Sequence, residues 1–137
     1  MDTDTLNTLV TDAIWRAEEL EALGIPASPA WKEVSAIEEE LAKAFPVSEG
    51  QGRIARRGAV RAALKAGNYD SAQALTAAYI AEEAAPDSLK TALCEILNEA
   101  DQAMASRFQH AAKHHTAREA RDVARRVREA GPFGLAA

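Results

Sequence analysis

Between Pro86 and Gly131-Pro132 the chain runs from Asp87 to Ala130 without a proline or a glycine. Nothing in that run removes a backbone donor or frees the backbone, so it predicts one long helical stretch. At about 1.5 Å per residue a straight rod would reach roughly 60 Å, too long for the core of a chain this small. A kink or break is therefore expected, at His114-His115-Thr116. There Thr116-Ala117-Arg118-Glu119 has the spacing of a capping box that starts a new helix. The other helices are expected to be shorter and to pack against this one.

The remaining sequence supplies those helices. The first is predicted over Thr5–Leu23, capped among Thr3, Asp4 and Thr5 and stopped by Gly24 and Pro26. Leu6, Leu9, Val10, Ala13, Ala17 and Leu20 recur at helical spacing and form its inner face, which turns Trp15 outward. The second begins at Ser28-Pro29, with Ser as cap, and stops before Pro46. Its inner face reads Ala30, Val34, Ile37, Leu41 and Phe45, and Glu38-Glu39-Glu40 is read as a solvated charge run. Residues 46–52 form a loop. The third helix covers about Gln51–Ala66, with Ser48 in capping-box position. The fourth is predicted to run from a cap at Asp70 to about Ala85.

The turn Gly67-Asn68-Tyr69-Asp70-Ser71-Ala72 resembles that of a tetratricopeptide helical hairpin. The likeness covers one hairpin, with no second copy along the chain.

Composition supports an all-helical chain with a thin core. Alanine accounts for 32 of the 137 residues, while Val, Ile, Leu and Phe together number 26. β-Branched residues show no period-two runs. The expectation is an all-α, compact bundle of five or six helices. One domain is expected over residues 1–130, with a short tail at 131–137 whose Phe133 and Leu135 are candidates to dock on the body. A lone cysteine, Cys94, rules out an internal disulfide and fits a reducing, cytoplasmic setting. The acidic start Met1-Asp2-Thr3-Asp4 lacks a secretory apolar run, and no stretch has the length and apolarity to span a bilayer.

The net charge of −5 conceals alternating blocks. Residues 1–50 carry 11 acidic and 3 basic groups; residues 51–66 carry 5 basic and none acidic. Residues 67–106 carry 7 acidic and 1 basic, and residues 107–137 carry 7 basic and 3 acidic. Two basic stripes result. Arg53, Arg57, Arg61 and Lys65 are spaced by four along the third helix, and Arg118, Arg121, Arg125 and Arg128 line the end of the long stretch. Three roles fit them: pairing with acidic helices of the same chain, meeting an acidic protein surface, or neutralising nucleic-acid phosphates. The acidic total and the lack of interleaved aromatics place nucleic acid behind a protein partner.

Chemistry-bearing motifs are scarce. Phosphate-loop, dinucleotide, nucleophile-elbow and metalloprotease patterns do not occur. His110 and His114 lie one turn apart, a spacing that can chelate zinc, but Ser106, Arg107, Lys113 and Arg118 surround them and no carboxylate lies one turn away. Neither metal nor cofactor is expected. Cys94 sits off the main apolar stripe and is expected to be a buried or half-buried, inert thiol. The function expected is a non-enzymatic adaptor or regulatory protein, binding a protein partner or a second copy through Trp15 and the two basic stripes. A nucleic-acid-binding accessory protein is the alternative, and a metal-binding or phosphotransfer bundle using His110 and His114 comes third.

Overall fold

The computed structural model describes the backbone of residues 1–130 and, within the last helix, the side chains of residues 87–112, 118, 119, 121, 122 and 125. Five α-helices follow one another: α1 Thr3–Ala22, α2 Ser28–Ala44, α3 Gly50–Lys65, α4 Tyr69–Ile80 and α5 Asp87–Ala130. The all-α bundle expected from the sequence is therefore the fold. The contacts gather in two units, Met1–Ala100 and a second beginning at Asp101. Among the described residues no helix is long and apolar enough to cross a membrane. The expected tail, 131–137, lies outside the described residues.

In the first unit α1 packs on α2, α2 on α3 and α3 on α4. The turns follow from glycine and short polar side chains. Gly24 and Gly67 take φ of 70° and 76°, a left-handed conformation that costs glycine little. Each ends a helix with a bond reaching back five residues, Ile25 N–H to the Leu20 carbonyl and Asn68 N–H to the Ala63 carbonyl. Asp2 caps α1 by accepting from Thr5 N–H at 2.7 Å, which holds its carboxyl below the usual range. Asn68, not Asp70, caps α4 by accepting from Ser71 N–H.

Two expected caps are not formed. Ser48 gives α3 no cap; Glu49 holds that position without a side-chain bond. Ser28 is the first residue of α2 instead of its cap, and its hydroxyl donates at 2.6 Å to the Ala66 carbonyl at the end of α3. That bond satisfies a carbonyl left open at a helix end, a stronger demand than a cap on a helix that already begins with proline.

The interface between α2 and α3 is built for close approach. Ser35, buried, donates to the Ala59 carbonyl at 2.9 Å. At the turn, a Cβ on Gly52 would lie 2.0 Å from the Pro46 carbonyl oxygen, so only glycine fits there. The core comprises Leu6, Val10, Ala13 and Ala17 of α1, Trp31, Val34, Leu41 and Ala42 of α2, and Ala55, Ala59, Val60, Ala62 and Ala63 of α3. Ala72 and Tyr79 of α4 and Leu89, Leu93 and Ile96 of α5 complete it. Trp31 takes the place expected of Ala30, which turns the inner face of α2 by about one residue and brings Glu38 inside.

The backbone of α5 is helical through His114–Thr116. The expected break is not found. Alanine-rich sequence without proline or glycine sustains the helix, and the capping box at Thr116 starts no new one. Cys94 is exposed, contrary to the expectation of a buried thiol.

Candidate functional site

The basic stripe of α3 does not act as one surface. Arg53 donates to the carbonyls of Val47 and Ser48, at 3.2 and 2.8 Å, and so ties down the turn before its own helix. Lys65 places its Nζ 4.2 Å from the centre of the Trp31 ring, while the Trp31 indole N–H donates to Glu21 of α1. Arg57 and Arg61 form no hydrogen bond or ion pair within the described residues. Arg118, Arg121 and Arg125 are exposed, and Arg125 lies 3.7 Å from Asp122 one turn back. The Arg128 side chain lies outside the described residues. Among the described residues, Arg16–Glu33 and Arg56–Glu82 are ion pairs between elements, and neither uses a residue of the α3 stripe.

Trp15 and two side chains of α5 are among the large apolar residues that face solvent, beside Leu23, Ile25 and Ile54. Trp15 is 73% exposed on α1, as its position on the helix dictates. On α5, past the buried Leu89, Leu93 and Ile96, the apolar row runs on through Ala100 to Met104 and drifts round the helix to Phe108; Met104 and Phe108 are 49% and 77% exposed. Every residue from Asp101 to Ala112 is exposed. His110 is among them. The His114 and His115 side chains lie outside the described residues, and no group of three or more potential metal ligands is found among the described ones.

Two charged residues that the sequence reading set aside are buried. Arg56, 4% exposed, pairs with both oxygens of Glu82 at 2.7 and 2.9 Å. It also donates to the carbonyls of Phe45 and Gly52, and its guanidinium lies 5.4 Å from the Tyr79 ring. Burial chiefly pushes the Tyr79 hydroxyl up to about 12, with Glu39 adding to the shift and Arg56 opposing it. All of these bonds are internal, which makes Arg56 the clamp joining the α2–α3 turn to the end of α4.

Glu38 is different. It is 8% exposed, and no hydrogen bond or ion pair reaches it among the described residues. Burial pushes its carboxyl up to about 7. This overturns the reading of Glu38-Glu39-Glu40 as a solvated run. Its position, one turn after Val34 and three residues before Leu41, was the available signal. Glu38 lines a cleft of about 390 Å³ where α1, α2 and α3 meet, with Asn7 and Val10, Leu41 and Phe45, and Gln51, Ile54 and Ala55 as the other walls.

Comparison with protein-family models, with curated proteins and with solved structures finds no match for this chain.

Proposed function

We propose that the protein is a non-enzymatic helical interaction protein that pairs with a second copy of itself through α5. The observation that carries this reading is the exposure of Met104 and Phe108, which carry the apolar row on past the buried Leu89, Leu93 and Ile96, drifting round the helix to Phe108. Large apolar side chains in such a row mark a surface that another surface covers.

The charge along α5 favours a second copy as the occupant. From Asp87 to Asp101 the acidic groups are Asp87, Glu95, Glu99 and Asp101, against Lys90 alone. From Arg107 onward seven basic groups outnumber three acidic ones. Two such helices laid antiparallel set the acidic part of each opposite the basic part of the other, whereas a parallel pair opposes like charges. The antiparallel arrangement is also two-fold symmetric and closes at two copies.

Sedimentation velocity across the micromolar range tests this. A dimer is expected that Met104→Glu and Phe108→Glu disperse while the midpoint of thermal unfolding of the first unit stays unchanged. A monomer throughout that range overturns it. Arg57 and Arg61, which form no hydrogen bond or ion pair among the described residues, support nucleic-acid binding as the second reading.

A further inference from the structure

We propose that the cleft between α1, α2 and α3 is a binding site for a small amine with a compact apolar body, its ammonium held by the Glu38 carboxylate. A buried carboxyl normally has a cation or several hydrogen-bond donors against it, because desolvating it alone is costly. Glu38 has neither. Arg16 is turned to Glu33, Lys43 to Glu40 and Arg53 to the α2–α3 turn, and Arg57, one residue before Gly58, forms no ion pair with Glu38. An ammonium entering the cleft would supply the missing charge and donors.

The walls define the rest of the ligand. Val10, Leu41, Phe45 and Ile54 offer an apolar surface, and the amides of Asn7 and Gln51 are the polar groups beside it. A cleft of about 390 Å³ sits at the small end of ligand pockets. It suits one ring or a short branched chain bearing a single amine. Gly58 makes the arrangement possible, because a Cβ there would lie 2.7 Å from Glu38 Cδ and Oε1. A chain selected only for packing had no need of an acid at this spot, since glutamine or leucine fills the same volume without the cost of desolvating a charge.

The test is an NMR titration of the full chain at pH 8 with 2-phenylethylamine and, separately, with its neutral counterpart 2-phenylethanol. Saturable shifts are expected at Val10, Leu41, Phe45, Ile54 and Ala55 with the amine, and binding of the alcohol roughly tenfold weaker or more. Glu38→Gln is expected to reduce amine affinity by a similar factor. Equal affinity for amine and alcohol overturns the proposal, as does amine binding unchanged in Glu38→Gln. Shifts confined to exposed acidic residues such as Glu18 and Glu19 also overturn it. The comparison of amine with alcohol is made on the parent chain, so it holds whether or not the variant folds.

Discussion

Glu38 and Gly58 are fitted to each other across the α2–α3 interface: the carboxyl fills the volume that a side chain at Gly58 would occupy, 2.7 Å from where its Cβ would stand. The pairing admits an acid to the interior without giving it a partner. Its consequences for stability depend on pH, and their sign follows from the direction of the shift. Folding raises the Glu38 pKa from 4.5 to about 7. Below about pH 4.5 the carboxyl is protonated in both states and costs nothing. As pH rises toward 7 the unfolded chain loses this proton first, so the folded state becomes progressively less stable, and above 7 the loss is complete. After allowance for the solvent that still reaches the cleft, the loss is about 2–3 kcal/mol. Glu38→Gln should therefore be more stable than the parent at pH 8 and little different at pH 4.5. Urea unfolding of both proteins at the two pH values checks this, and a constant difference between them would sink it.

The two crowded glycines of α3 should respond differently to alanine. At Gly52 the obstacle is the Pro46 backbone carbonyl, which cannot move without rebuilding the turn. Gly52→Ala should cost about 2–3 kcal/mol or more. At Gly58 the obstacle is the end of a flexible side chain, and alanine brings a gain of about 1 kcal/mol in helix propensity. Gly58→Ala should be close to neutral in the parent and stabilising by about 1 kcal/mol in a Glu38→Ala background. Thermal unfolding of the single and double variants separates the two outcomes.

Arg56 should be the most sensitive charged residue in the first unit. Its guanidinium holds Glu82 and two backbone carbonyls, Phe45 and Gly52, from a position almost closed to solvent. Arg56→Met strands those acceptors and should cost about 3 kcal/mol or more. Glu82→Gln keeps one acceptor oxygen and lies nearer solvent, so about 1–2 kcal/mol is expected. Arg56→Lys should not rescue, because one ammonium cannot span the four acceptor atoms that the planar fork reaches. Equal losses for Arg56→Met and Glu82→Gln in urea titrations would show that the ion pair, and not the clamp on the turn, carries the effect.

Helix content and order were legible because Gly24, Pro26, Pro46, Gly67 and Pro86 stand between runs with helical spacing. What a charged side chain does was less legible, because that is decided by the neighbouring helix. Arg53, Arg56 and Arg57 lie within five residues of one another; one braces a turn, one is buried and one has no partner among the described residues. A stripe drawn at every fourth residue joins Arg53 to Arg57 and passes over Arg56, although Arg56 follows the buried Ala55 and precedes the buried Ala59 by three positions. Glu38 was hidden for a related reason. Three successive glutamates look alike in sequence, and only the packing of α3 selects which of them enters the interior. The outward direction of Trp15 needed no partner helix to read, since the core face of α1 alone determines it.

The division of the α3 stripe leads to a prediction about nucleic acid. If Arg53, Arg57, Arg61 and Lys65 all met phosphates, the log–log dependence of duplex affinity on salt would have a slope of about −3.6 from this helix alone, at about −0.9 per contact. Arg53 is committed to the turn and Lys65 to the Trp31 ring, which leaves Arg57 and Arg61 and a slope no steeper than about −2. Two contacts from α3, one of them the half-buried Arg57, on a chain of net charge −5 are too few for tight binding through this helix at physiological salt. Fluorescence anisotropy with mixed duplex and single-stranded probes at two salt concentrations should therefore show no submicromolar binding. Arg57→Gln with Arg61→Gln should leave stability within about 0.5 kcal/mol of the parent. Arg53→Gln should cost about 1–2 kcal/mol through its two carbonyl bonds. Submicromolar, steeply salt-dependent binding that the Arg57/Arg61 double variant abolishes while remaining folded would make nucleic acid the partner and displace self-association as the leading reading.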